Sequence, residues 1–195
     1  RVTRDAGVAL LDEIGPAILL THSQSGPFGW LIADRRPELV KGIIAIEPNG
    51  PPFKDVMFSG GSDWYQYVDE LARPYGITRL PLRFEPPLEA QESLTSARQT
   101  SDLGGRLVSG HLQAEPARTL QNLAGLNILI ATAQASYHAP YDHCTSEFLN
   151  QAGVGHDFVY LEEHGLAGNA HMVMLEKNNH EIADFLLEWL QSKSV

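Results

Sequence analysis

The stretch from Ala17 to Trp30, AILLTHSQSGPFGW, leaves a chain few ways to fold. Ala17-Ile18-Leu19-Leu20 is a short apolar run with no polar alternation, the pattern of a strand covered on both faces in a parallel sheet. The run breaks at a polar segment carrying Ser23, and a helix follows from about Gln24 to Arg36, with Pro27 in its first turn, where a missing N–H costs little. A serine at a sharp strand-to-helix turn sits in strained backbone, and its neighbours must be small enough for the two backbones to approach. Thr21, Ser25 and Gly26 meet that demand. The helix points its N-terminus at the serine, which favours a developing oxyanion, and the backbone N–H of Gln24 is the expected donor to it.

The segment resembles the nucleophile elbow of the α/β-hydrolases, whose usual form is Gly-x-Ser-x-Gly. Here it stands as Thr21-His22-Ser23-Gln24-Ser25-Gly26, with small hydroxyl residues replacing both glycines of the pentapeptide. Ser25 is a rival nucleophile, although the strand would then have to run two residues further. The bland alternative is a serine-rich turn with no chemistry.

The rest of the chain alternates strand and helix on both sides of an insertion. Val2 to Ile14 has apolar residues at helical spacing, and Gly15-Pro16 stops it. Val40 to Ile46, Leu126 to Thr132 and Asp157 to Leu161 read as further strands, and Asp142 to Ala152 as a helix. Asn179 to Ser192 reads as a closing amphipathic helix with Ile182, Phe185, Leu186, Trp189 and Leu190 inward. This pattern predicts an α/β fold with a mostly parallel sheet and helices on both faces, its core formed by residues 1–52 and 126–195. Residues 53–125 are proline-rich and lack the alternation. They predict a helical lid with a helix over Glu89–Asp102, and the aromatic group Trp64, Tyr65 and Tyr67 is expected to face a substrate pocket.

A serine needs a base in hydrogen-bond reach, and the base needs an orienting carboxylate. The resemblance implies the order serine, acid, histidine along the chain. The loop Gly165 to His171 follows the last strand, and its Gly-Asn-Ala-His-Met pattern is similar to the histidine loop of a bacterial esterase branch of the family. His171 is therefore the expected base, with His164 as the rival and a capping or solvated loop histidine as the bland reading. The family's commonest acid position follows the Leu126–Thr132 strand, where Ala133-Gln134-Ala135-Ser136-Tyr137-His138 offers no carboxylate. Asp142 comes later, where capping the next helix suits it better. Glu47 closes the second strand beside Pro48, and the same esterase branch places a Glu acid there. The resemblance thus implies a triad of Ser23, Glu47 and His171, although Glu47 could also be an ion-paired strand-end carboxylate.

A net charge of -10 and a pI near 5.2 argue against nucleic acid as a partner. No apolar run is long enough to span a membrane. Cys144 is the sole cysteine, so an internal disulfide is excluded. The histidines show no convincing metal spacing, and the expected chemistry calls for no cofactor. About sixteen residues precede the elbow strand, whereas the family carries several strands and a helix before it. An upstream segment or a second chain is therefore expected to complete the sheet beside Ala17–His22 and to supply a second oxyanion donor. The expected activity is hydrolysis of a carboxylic ester or lactone. Alternatives are C–C bond cleavage, a non-hydrolytic cyclase or lyase step in the same pocket, or a binding protein of the same fold without chemistry.

Overall fold

The apolar runs expected as strands form a single parallel sheet in a computed structural model that describes residues 1–58, 65–99 and 107–193. In chain order the strands of the molecule are β1 (Ala17–His22), β2 (Val40–Ile46), β3 (Lys54–Phe58), β4 (Tyr65–Leu71), β5 (Ser96–Arg98), β6 (His111–Gln113), β7 (Asn127–Thr132) and β8 (Asp157–Tyr160). The sheet runs β1-β2-β7-β8, with β2 central: Ile43 pairs with Leu19 on one side and Ile128 on the other. The helices are α1 (Val2–Ile14), α2 (Gly26–Arg35), α3 (Asp142–Gln151) and α4 (Asn179–Ser192).

The two-residue period of the strands divides the apolar side chains between two cores. Ile43, Ala45, Ile128 and Ile130 face one of them, with Leu11 of α1, Trp30 and Leu31 of α2, and Phe148 and Leu149 of α3. Ile44, Ile46, Leu129 and Ala131 face the other, with Ile182 and Leu186 of α4. Helices therefore cover both faces, and β2 carries apolar residues in both directions, as its unbroken Ile-Ile-Ala-Ile run requires. Edge strand β1 is less well covered: Leu20 is 64% exposed and Ile18 36%.

Residues 53–125 depart from the sequence expectation. Their described part holds no α-helix. It folds as two antiparallel pairs, β3 with β4 and β5 with β6, joined by loops. The helix expected over Glu89–Asp102 is absent from the described residues of that span. Gln91 is in the left-handed region (φ 67°), Leu94 N–H donates to the Pro74 carbonyl at 3.0 Å, and Ser96–Arg98 pairs with His111–Gln113. Backbone partners supplied from elsewhere in the fold outweigh local helix propensity there. Phe53, Ile77, Leu82, Phe84, Leu94, Leu120 and Leu123 of this segment are buried in the same core as α2 and α3. Arg73, 1% exposed, ties the segment to the loop after β2 by donating to Pro51 O at 2.8 Å, and it pairs with Asp55 of β3 at 2.6 Å. No helix among the described residues is long and apolar enough to cross a membrane.

Candidate active site

Ser23, Glu47, Tyr137 and His171 all lie beyond the C-terminal ends of sheet strands, the edge at which parallel α/β sheets bind ligands. Ser23 follows β1 directly and has φ 54°, a conformation that costs a non-glycine residue of order 1–3 kcal/mol and needs support from its surroundings. That support is visible. The Ser25 hydroxyl accepts from His22 N–H at 2.8 Å and donates to His22 O at 2.7 Å, closing the turn. Ser25, the rival nucleophile, thus has both its donor and an acceptor site engaged by backbone. Asn49 N–H donates to Ser23 O at 2.9 Å, which fastens the turn to the end of β2. The first turn after the strand is 3-10, over Ser23–Ser25, and α2 begins at Gly26 rather than at Gln24. A β-carbon on Gly26 would lie 2.5 Å from Pro48 Cβ, so the close approach inferred from small residues falls most tightly at this glycine.

Glu47 is fully buried and also has positive φ, 44°. One carboxylate oxygen accepts the Ala133 N–H at 2.8 Å, and the other accepts the Ser136 hydroxyl at 2.7 Å. The second oxygen also bonds His171 Nδ1. A buried carboxylate held by three donors is oriented rather than ion-paired at a surface. With Nδ1 turned to Glu47, Nε2 of His171 faces outward, and the Tyr137 hydroxyl lies 3.3 Å from it. His22 Nε2 contacts the His171 carbonyl at 2.8 Å, holding the histidine loop against the elbow.

The rival residues sit elsewhere. His164 packs its ring on Phe185 of α4. Asp142 is fully buried at the start of α3, where it accepts from Thr132 Oγ1 at 2.8 Å and pairs with His138 Nδ1 at 2.8 Å. The His138 ring in turn stacks on His171, with centroids 4.8 Å apart and planes within 8°. The Ala133–His138 loop holds no carboxylate; it contributes hydroxyl, amide and imidazole groups instead, and its signal in the sequence is Ser136-Tyr137-His138 following a strand of the sheet.

A cavity of about 260 Å³ opens over Ser23, Gln24, Asn49, Tyr137, His138 and Tyr141, with Asp55 and Val56 of β3 on its wall. Gln24 and Asn49 also border a second cavity of about 420 Å³, lined by Pro27, Phe28, Leu31 and Leu80 and by Arg1, Arg73 and Arg79. Of the aromatic group, Tyr65 packs on Tyr141 at 5.9 Å, and Tyr67 lies one ring further out, against Tyr65 and His111. Trp64 lies outside the described residues. Burial pushes the phenols of Tyr65, Tyr67 and Tyr141 above the ordinary tyrosine value, and of the three Tyr141 lines the cavity.

His22, Glu47 and His171 offer ligand atoms within 4.8 Å of one another, the only such group among the described residues. Its atoms are already committed, Glu47 to three donors and His22 Nε2 to the His171 carbonyl. The donor set therefore suits an oriented imidazole better than a cation.

No protein-family model matches the chain. It is 44% identical, over an alignment of 193 residues that covers 95% of the chain, to a probable secreted lipase, phiG, of Fungal sp. (strain ATCC 74256). It spans 48% of that relative, about half of the longer protein. Among solved structures it is similar to a novel bacterial esterase, with a TM-score of 0.51 and 18% identity, over 98% of this chain and 42% of that one. The chain is thus a mixed α/β unit with a parallel sheet, similar in sequence to half of a probable lipase and in fold to part of an esterase.

Proposed function

We propose that this chain carries the catalytic half of an α/β-hydrolase-fold serine hydrolase that cleaves a carboxylic ester or lactone through Ser23, His171 and Glu47. The observation that carries the proposal is the buried Glu47 carboxylate, fixed by Ala133 and Ser136 and bonded to His171 Nδ1 beside a cavity bordered by Ser23. Ser23 Oγ attacks the carbonyl carbon, and its proton passes to His171 Nε2. The imidazolium returns that proton to the leaving oxygen as the C–O bond breaks, and water then releases the acyl group by the same steps in reverse. Glu47 holds the imidazole in the tautomer that presents a bare Nε2. Gln24 N–H donates to the carbonyl oxygen, whose charge develops at the helix start. Phe28, Leu31 and Leu80 offer apolar contact to part of the substrate, beside Arg1, Arg73 and Arg79 on the same wall.

Two further parts belong to this reading. The insertion 53–125 walls the pocket as a lid through Asp55, Val56 and the tyrosines behind Tyr141. An upstream segment pairs with β1, covers Ile18 and Leu20, and brings the second oxyanion donor; the open edge of β1 and its exposed leucine support this.

Hydrolysis of short-chain aryl esters, measured for the wild type, Ser23→Ala and His171→Ala, tests the proposal. Loss of activity in both variants with unchanged thermal midpoints is expected. Full activity in Ser23→Ala would overturn it. Retro-aldol C–C cleavage without ester turnover would favour the alternative use of the same pocket.

A further inference from the structure

The Tyr137 hydroxyl occupies a position that the proposed triad leaves unused. It stands 3.3 Å from His171 Nε2 and borders the same cavity as Ser23. Its ring is gripped from two sides, with centroids 4.5 Å from His138 and 4.7 Å from His171. Its neighbour Ser136 is anchored by Glu47. The phenol is thus held by the same loop that orients the acid, and it lines the cavity with Ser23 and Gln24.

A group beside Nε2, on the cavity that Ser23 borders, marks a particular place in the reaction. In the tetrahedral intermediate the leaving oxygen is bonded to the carbon that Ser23 attacked, and it must lie within hydrogen-bond reach of Nε2 to receive the proton. A hydroxyl 3.3 Å from Nε2, in the cavity that Ser23 borders, is placed to meet that oxygen too. Gln24 N–H addresses the other oxygen, the former carbonyl, from the helix start. The two donors therefore serve different oxygens.

We infer that Tyr137 is a further catalytic residue, whose O–H donates a hydrogen bond to the leaving-group oxygen as the ester C–O bond breaks. This rests on the triad reading above. When substrate enters, the Tyr137 hydroxyl exchanges its contact with Nε2 for the ester oxygen. Ser23 loses its proton to Nε2 and forms the new C–O bond. The old C–O bond then breaks, its electron pair stays on the leaving oxygen, and Nε2 supplies the proton that neutralises it. Tyr137 keeps its own proton throughout and stabilises the oxygen while negative charge is on it. Burial raises the phenol above the ordinary tyrosine value, so the group stays a donor at neutral pH.

The test is Tyr137→Phe, assayed in whichever form is active, the 195-residue chain alone or with its upstream segment. Two esters of one acid are compared by kcat/KM: an ethyl ester, whose alkoxide needs a proton, and a p-nitrophenyl ester, whose leaving group does not. The expected result is a loss of roughly 10–100-fold on the ethyl ester and less than about threefold on the nitrophenyl ester, the range of a hydrogen bond to a charged oxygen. Labelling of Ser23 by a fluorophosphonate should persist in Tyr137→Phe, which shows that the variant is folded with its nucleophile intact. Equal losses on both esters, no loss on either, a gain in rate, or loss of labelling would each overturn the inference. Failure of the triad reading is distinguished separately, because Ser23→Ala would then keep its activity on both esters.

Discussion

Ser136 donates its hydroxyl proton to Glu47 Oε2 at 2.7 Å, bridging 89 residues of sequence and fixing the oxygen that also bonds His171 Nδ1. Glu47→Gln removes the charge and can present an N–H to Nδ1, which reverses the imidazole tautomer. A fall in kcat of about 10⁴-fold is expected, as such changes produce in triads. Ser136→Ala should cost roughly 10–100-fold, because a hydrogen bond to a buried charge is lost. Steady-state kinetics on one ester checks both, and an unchanged kcat in Glu47→Gln would remove the acid from the account.

Asp142 should behave differently. Its carboxylate serves Thr132 and His138 inside the fold, so Asp142→Asn should lower the thermal midpoint, with a cost of about 1–3 kcal/mol, while kcat changes by less than about tenfold. Calorimetry alongside kinetics separates the two roles. A kcat loss larger than that of Glu47→Gln would exchange the two acids.

Gly26→Ala is expected to destabilise by about 1–3 kcal/mol, because the added methyl meets Pro48 Cβ at 2.5 Å and Pro48 Cα at 2.7 Å, and backbone must shift to admit it. Gly15→Ala is the informative contrast. Nothing lies within 4 Å of a β-carbon there, and its cost comes from φ 85° alone. Urea unfolding of both variants reads the difference.

Strands and helices of the sheet were legible because each carries its own signal. The Ile-rich run of β2 and the amphipathic spacing of α4 fall where the residues predict them, at Val40–Ile46 and Asn179–Ser192. The turn at Ser23 was legible for a steric reason, since small residues mark close backbone approach. The insertion was not, because β5 and β6 are three-residue strands whose pairing depends on partners far along the chain. Nor was the loop after β7, since hydroxyl and amide donors to a distant carboxylate leave no pattern of charge or period. Ser136 and Tyr137 acquire meaning only once Glu47 and His171 are brought beside them.

Acid should destabilise the fold through two buried imidazoles. Burial holds His111 and His143 below the ordinary 6.5 of histidine. As the pH falls past 6.5 the unfolded chain takes up protons that the folded chain refuses, so stability fully present above that value is lost toward the folded-state values. Thermal midpoints from pH 7.5 to 5 should decline, and the decline should be shallower in a His111→Asn, His143→Asn double variant. An identical slope in that variant would contradict the assignment.

Leu20 reads the state of the outer strand. If an upstream segment covers β1, Leu20→Lys should destabilise the full-length protein by about 2–4 kcal/mol, the cost of burying a charge in place of an apolar side chain. It should leave the 195-residue chain nearly unchanged. The segment should also raise kcat by roughly 10²–10³-fold through its oxyanion donor. Equal effects of Leu20→Lys in both forms would mean that nothing docks on that face.

Mapping the adduct of a fluorophosphonate probe decides whether Ser23 is the nucleophile. Digestion and mass spectrometry should find one phosphonylated residue, Ser23, with the adduct abolished in Ser23→Ala and retained in Ser25→Ala. An adduct on Ser25 or any other residue, or esterase activity that survives Ser23→Ala, would contradict the account.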